Sequence, residues 1–409
     1  MTHRIHLLAL TALLTAAGPI DAAVRPVRLR CEHLPQPFVD IAAPQFSWAL
    51  VSDQRDARQT AYQIRVATTP ERLHDNPDLW DSGKVASGNT LGIVYAGKPL
   101  RSNTTVYWTV RAWDAHDQPA DAAEPARFDV ALLDPSEWKA KWIADPRPPV
   151  TDEAELYRDR PAPMFRHEFT AKGRVRRARA LVSGLGYYDL HVNGRRINAD
   201  RLEPNWTSFG KRVPYAMYDV SDVIAPGPNA LGVIVGNGWY NPLPLRMWGW
   251  LNLREHLAIG QPRVILQLHI DYEDGTQETI VTDERWRVGE SPILHNSIYL
   301  GEVYDARREI DGWDRPGFDD RDWPTAVIAR EPVGTLRAAT VPSVRQVETI
   351  RPVKITEPRP GVFIVDMGRN LAGTITLRVR GRAGQTITLR YGELLYPDGR
   401  LNVMTSVCG

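Results

Sequence analysis

The sequence predicts an all-β chain built of tandem β-sandwich domains, and three observations carry that expectation. Apolar residues recur at every second position in many short runs, 30 glycines and 32 prolines punctuate the runs, and no segment sustains a 3.6-residue period over several turns. Period two marks a half-buried strand, because successive side chains of an extended chain point to opposite faces of a sheet. At 409 residues the chain is long enough for several domains of about 100 to 200 residues each. Its 50 basic residues stand against 49 acidic ones, a net charge of +1. Such a balance lacks the clustered cations that phosphate binding needs, so nucleic acid is not an expected partner.

At the amino terminus Arg4 precedes an apolar run over residues 5–17, followed by the small residues Ala16-Ala17-Gly18. This predicts a cleaved signal peptide over residues 1–18 and a periplasmic or secreted location. As a helix the run spans about 20 Å, short of the roughly 30 Å of a hydrocarbon core, and no other stretch is long and apolar enough for a membrane span. Cys31 and Cys408 lie too far apart in sequence to suggest a metal motif, and are expected to be unpaired.

Residues 24–133 read as one fibronectin type III-like β-sandwich. Tyr62, Ile64 and Val66 alternate with polar neighbours, as do Val106, Trp108, Val110 and Ala112, and the second run ends in the polar turn His116-Asp117-Gln118-Pro119. Short strands at regular spacing are what a sandwich requires. Trp48, Trp80, Trp108 and Trp113 are expected to pack this domain rather than present a ligand platform.

Residues 134–335 read as a second, larger sandwich of jelly-roll type. Leu266, Leu268, Ile270 and Tyr272 alternate with Gln267, His269 and Asp271, and Glu273-Asp274-Gly275 turns the chain back into residues 277–282. A second hairpin is predicted at Asn193-Gly194, a pair that accepts the positive φ of a tight strand-matching turn. Around Asp219 and Ser221 one or two helical turns are expected, with either side chain as cap. Residues 336–409 read as a partial sandwich. Strands are predicted at Ile375, Leu377, Val379 and at Ile387, Leu389, Tyr391, joined by Gly381-Arg382-Ala383-Gly384.

The sequence lacks a phosphate loop, a His-Glu-x-x-His helix and a Gly-x-Ser-x-Gly elbow, the usual footholds of phosphoryl transfer, zinc peptidase and serine hydrolase chemistry. His191, His256, His269 and His295 lack metal-ligand spacing. Glu302, Asp305, Asp319, Asp320 and Asp322 sit in turn-rich segments, where acids cap backbone N–H groups. No catalytic residue is therefore assigned.

Carbohydrate binding is the sharper expectation, since it needs aromatic faces for sugar C–H groups and planar polar side chains or calcium for vicinal hydroxyls. Two loops supply both. The first, residues 198–209, carries Asp200, Asn205 and Trp206; the second, residues 236–250, carries Asn237, Trp239 and Tyr240 and runs on to Trp248 and Trp250. Asp200, Asn205 and Asn237 offer oxygen ligands, and Asp200 with Asn237 is the expected pair for Ca2+. The aromatic residues equally suit plugging the end of the sandwich.

Several stretches, in order, resemble the bacterial α-L-rhamnosidases of glycoside hydrolase family 78. Gln59-Thr60-Ala61-Tyr62-Gln63-Ile64, Trp80-Asp81-Ser82-Gly83-Lys84, Tyr107 to Asp114 and Lys141-Trp142-Ile143 resemble the amino-terminal fibronectin-like domain and its exit. Gly186-Tyr187-Tyr188, Val192-Asn193-Gly194, Asn229-Ala230-Leu231 and Gly238-Trp239-Tyr240 are similar to the accessory sandwich, which in some members binds rhamnose through calcium. Gly301-Glu302-Val303-Tyr304-Asp305 with Gly312-Trp313 and Pro316-Gly317-Phe318-Asp319-Asp320 looks like that module's closing signature. Asp366-Met367-Gly368-Arg369-Asn370 with Glu393 and Asp398-Gly399 resembles the sandwich that precedes the catalytic domain. The resemblance implies an enzyme that hydrolyses terminal α-L-rhamnosides by inversion in an α/α toroid, with a rhamnose-containing glycoside as partner. No part of these 409 residues resembles that toroid, so the chain is expected to be an amino-terminal portion that supplies scaffold and rhamnose recognition. The alternative is a freestanding secreted lectin-like module.

Overall fold

The computed structural model describes residues 24–199, 202–330 and 334–406. The predicted signal peptide over residues 1–18, Asp200 and Cys408 lie outside them. The chain is all-β and divides into two compact units, one up to Leu133 and one from Asp134 on.

In the first unit, Arg25–Cys31, Gln45–Val51 and Ile93–Val94 form one sheet, while Phe38–Val39, Ala126–Val130, Thr104–Trp113, Ala61–Ala67 and Trp80–Asp81 form the other in that order. Tyr62 pairs with Ala112, Ile64 with Val110 and Val66 with Trp108 across the central antiparallel ladder, so the two alternating runs of the sequence are neighbours. Their inward residues meet Phe46, whose ring lies 4.4 Å from that of Trp108. Trp48 is buried and donates its Nε1–H to Gln59 Oε1 at 3.0 Å, whereas Trp80 and Trp113 are half-buried. All four pack this sandwich or its rim. Cys31 is buried and unpaired, and burial followed by the nearby Glu32 charge pushes its thiol far above the usual range.

The second unit holds a larger sandwich. One sheet orders Val327–Ile328, Ile143–Ala144, Arg263–Tyr272, Val175–Leu185, Arg212–Asp219 and Thr335–Ala338, with Gln277–Val281 hairpinned onto Arg263–Tyr272. The facing sheet orders Arg195–Arg196, Tyr188–Val192, Gly227–Val235, Pro163–Ala171 and Arg287–Glu290. Leu266, Leu268 and Ile270 point inward against Val182, Leu190, Val233 and Phe165. The intervening Gln267 and His269 face away, as period two demands. The Asn193-Gly194 turn forms with both residues at positive φ, 51° and 82°. At Asp219 the chain makes a single turn rather than a helix: Asp219 accepts the Ser221 N–H at 3.0 Å, and Ile224 N–H reaches Val220 O at 3.3 Å.

One buried cation staples the two ends of this unit's chain. Arg166, 1% exposed, donates to Trp313 O at 2.8 Å, Arg315 O at 2.9 Å, Glu168 at 2.7 Å and Asp320, and lies over the Phe318 ring. A planar guanidinium is suited to so many directed bonds. Two glycines make room for the same segment. A Cβ on Gly232 would lie 2.6 Å from the Trp313 ring, and one on Gly289 would lie 2.5 Å from that of Trp323. The stretch 312–323 is thus a packing clamp.

The last segment corrects the sequence reading in part. Lys354–Arg359 and Val362–Asp366 pair as a hairpin, as do Leu394–Leu395 and Leu401–Asn402. The turn at residues 381–384 forms, with Gly384 at φ 81° and Gln385 N–H on Arg382 O. The strands expected around Ile375 to Val379 and Ile387 to Tyr391 do not: these residues carry no ladder and their apolar side chains are exposed. Alternation suits a segment to a sheet, but a strand exists only when another strand satisfies its N–H and C=O groups.

Candidate functional site

The two aromatic loops meet in the second sandwich, where Trp206 of one packs beside Trp239 of the other. Trp206 is 53% exposed, and its ring centroid lies 6.0 Å from that of Trp239. Trp239 in turn meets Tyr299 edge-on at 6.0 Å. Burial, offset in part by the nearby Trp239 indole, leaves the Tyr187 phenol above its ordinary range. Trp206, Trp239 and Tyr299 form an open aromatic ledge with polar groups beside it, suited to the apolar face of a sugar ring.

Tyr240 takes the other role foreseen for it. It is buried, stands edge-on to Phe209 at 6.1 Å, carries the Arg263 guanidinium over its ring and belongs with Trp142, Leu185 and Ile265 to a buried hydrophobic cluster. Successive positions of the loop thus split between surface and core, as Gly238 at positive φ (48°) lets the backbone turn sharply against Gly186 and Tyr187.

Asn237 is held rather than presented. Its backbone N–H and Nδ2 bond the side chain and carbonyl of Asn296 at 2.6 and 2.9 Å, and its Oδ1 accepts Asn241 Nδ2 at 2.8 Å. One lone pair of Oδ1 remains for a ligand. Asn205 Nδ2 is buried with no acceptor among the described residues; as an N–H donor it suits a hydroxyl oxygen better than a cation. Asp200 lies outside the described residues, and among those described no group of three or more His, Cys, Asp or Glu side chains is placed to hold a metal.

Several of the other acids and histidines are engaged in structure. Asp305 caps the turn Ala306–Arg308 through Arg307 N–H, and this bonding with Arg307 outweighs desolvation to hold its carboxyl down at about 2. Asp319 does the same with Arg321. Burial of its carboxyl followed by the Asp189 charge pushes Glu302 upward. His191 bonds Asp314 at 2.8 Å, and His295 faces Leu156 O at 3.4 Å.

Sequence reasoning missed Tyr299 and Asn296. Both sit on or near the tip of the hairpin of Ile293–Ser297 and Gly301–Tyr304, about 60 residues beyond Trp239. The run Tyr299-Leu300-Gly301, an aromatic beside a turn glycine, is the local signal that marks the tip, but nothing local says which loop it meets.

Three family models match in chain order. The Rha78A-like N-terminal immunoglobulin domain covers residues 26–134, the α-L-rhamnosidase N-terminal domain covers 173–348, and the bacterial α-L-rhamnosidase concanavalin-like domain covers 356–408. This chain belongs to the bacterial α-L-rhamnosidase family. An α-L-rhamnosidase of Formosa agariphila is 33% identical over 380 residues, a match covering 88% of this chain and 40% of that protein. The solved α-L-rhamnosidase of Dictyoglumus thermophilum superposes with a TM-score of 0.81 at 39% identity, covering 93% of this chain and 42% of that one. The Streptomyces avermitilis α-L-rhamnosidase structure, solved with L-rhamnose, gives 0.78 at 27% identity, covering 93% and 52%. The chain thus spans about half the length, or less, of the rhamnosidases it matches. Within the family's architecture, the aromatic ledge belongs to the α-L-rhamnosidase N-terminal domain.

Proposed function

We propose that the chain is the amino-terminal part of an exported α-L-rhamnosidase, an enzyme that hydrolyses terminal α-L-rhamnosides with inversion, and that these residues supply scaffold and rhamnose recognition rather than bond cleavage. The observation that carries this reading is the succession of three rhamnosidase-family domains in a single chain. Inversion needs two carboxyl groups about 6.5 to 9.5 Å apart with a water between them, whereas Asp305, Asp319 and Asp320 are each committed to an arginine. Recognition is placed on Trp206 and Trp239, with Tyr299 as a third ring and Asn205 and Asn237 as polar contacts. A role for calcium rests on Asp200 joining Asn237.

Two measurements test the reading. Purified chain incubated with an aryl α-L-rhamnoside is expected to give no turnover beyond a mock purification; turnover would place the chemistry on these residues. Calorimetry with L-rhamnose is expected to show saturable heat that Trp206→Ala reduces about tenfold in affinity, at the upper end of the roughly 0.5 to 1.5 kcal/mol a ring contact contributes. Heat lost on chelation would support calcium, and heat unchanged in the variant would put recognition elsewhere.

A further inference from the structure

Beside the 236–241 loop lies a cavity of about 120 Å³ whose lining includes neither Trp206 nor Trp239 but shares Asn237 and Asn296 with the surroundings of the aromatic ledge. Its wall carries four arginines, Arg147, Arg158, Arg160 and Arg254, against two carboxylates, Asp145 and Glu155. The carboxylates are spoken for. Asp145, itself buried, binds Arg147 Nε at 2.6 Å, and Glu290 holds the same guanidinium at 2.9 Å; Glu155 meets Arg158 at 3.1 Å.

Arg160 and Arg254 are not paired directly in this way, although the charges of Asp145 and Glu290 reach Arg160 and that of Glu153 reaches Arg254. Among the described residues neither has a carboxylate within salt-bridge distance. Arg160 donates through Nη2 to the carbonyls of Arg147 and Pro148 at 3.3 and 2.8 Å. Arg254 donates through Nη1 to Asn241 Oδ1 at 2.9 Å and Pro242 O at 2.7 Å. Among the described residues, Nε and the other terminal nitrogen of each half-buried guanidinium have no acceptor. Burial, joined at Arg160 by the Arg147 charge, disfavours the cationic state of both, yet a guanidinium stays protonated in proteins. Fixed, partly desolvated cations with spare N–H donors are what a planar oxyanion needs for charge-assisted bonds.

We propose that this cavity is an anion subsite that takes the carboxylate of an acidic sugar unit on the unbonded edges of Arg160 and Arg254. The apolar side chains of Pro149, Val150 and Leu156 on the same wall suit the ring of such a sugar, and the volume admits about one monosaccharide. A sulfate group presents the same chemistry, so the subsite discriminates charged from neutral saccharides.

The test titrates the full chain with galacturonate, with galactose as the neutral control and inorganic sulfate as competitor. Saturable galacturonate binding, absent for galactose and at least tenfold weaker in Arg160→Gln and in Arg254→Gln, is the expected result. Arg158→Gln, whose side chain already has Glu155, should bind as the parent does, and circular dichroism confirms that each variant folds. Competition by sulfate identifies the bare oxyanion as the recognised group, while galacturonate binding without competition identifies the acidic sugar; both support the subsite. Equal affinity for galactose, no binding of galacturonate, or binding undiminished in both variants overturns it.

Discussion

Asn229 shows how much a single side chain holds in this fold. Fully buried, it donates to Ala225 O at 2.7 Å and Gly227 O at 2.8 Å and accepts from Ala225 N–H at 2.9 Å and Asn193 Nδ2 at 2.7 Å. Asn193 then passes the connection to Val223 O and Ala230 N–H. The amide ties the Asn193-Gly194 turn to the loop before Gly227–Val235. Asn229→Leu keeps the branched heavy-atom skeleton and leaves three part-buried backbone groups, on Ala225 and Gly227, without their partner, each at the lower end of about 1 to 3 kcal/mol. A loss of about 3 kcal/mol is expected in urea unfolding followed by circular dichroism. A loss below about 1 kcal/mol would mean that water replaces the amide.

At the scale of elements, the sequence reveals a strand when its pairing partner is close in the chain. Leu266 to Tyr272 and the turn at Gly275 announce their hairpin because one strand follows the other. The Arg166 clamp joins residues about 150 apart, and the contact of Trp206 with Trp239 likewise joins loops that no local pattern links. For Tyr240 the sequence left ledge and core equally open, since a turn conceals which way each side chain faces. The same reasoning explains residues 367–393. They alternate as strands would, yet in the described residues no neighbouring strand takes up their backbone groups, and Ile375, Leu377, Ile387 and Leu389 stay exposed. Unpaired backbone opens at little cost. Limited trypsin digestion is therefore expected to cut first within 367–393, at Arg378, Arg380, Arg382 or Arg390, while the ladder of Val175–Leu185 and Arg263–Tyr272 resists. Cleavage inside that ladder at equal rate would show that the whole second unit opens together.

For the whole molecule, the division into two units predicts a division in how stability depends on pH. The first unit's core holds no histidine, and His33, His74 and His116 are exposed. In the second unit, His167 stacks on buried Trp286 with centroids 5.5 Å apart, and His269 takes part in a fixed network. Gln267 Oε1 accepts from Lys139 and Ala140 N–H, so its Nε2 donates, to Glu137 O and to His269 Nε2 at 2.9 Å. His269 Nε2 must then be an acceptor, which a protonated imidazole cannot supply. Burial lowers the pKa of both histidines, with the charge of nearby arginines adding to it. A histidine whose folded pKa is depressed binds its proton more readily when unfolded, so stability falls as pH drops below the unfolded value near 6.5 and levels off below the folded value. Calorimetry at pH 7 and pH 5.5, above the main range of carboxylate titration, is expected to resolve two unfolding transitions, of which only the one from Asp134 on moves to lower temperature. Combining His167→Gln with His269→Gln should abolish that movement. If the transition of the first unit shifts as far, or the paired substitution leaves the shift intact, these histidines are not its source.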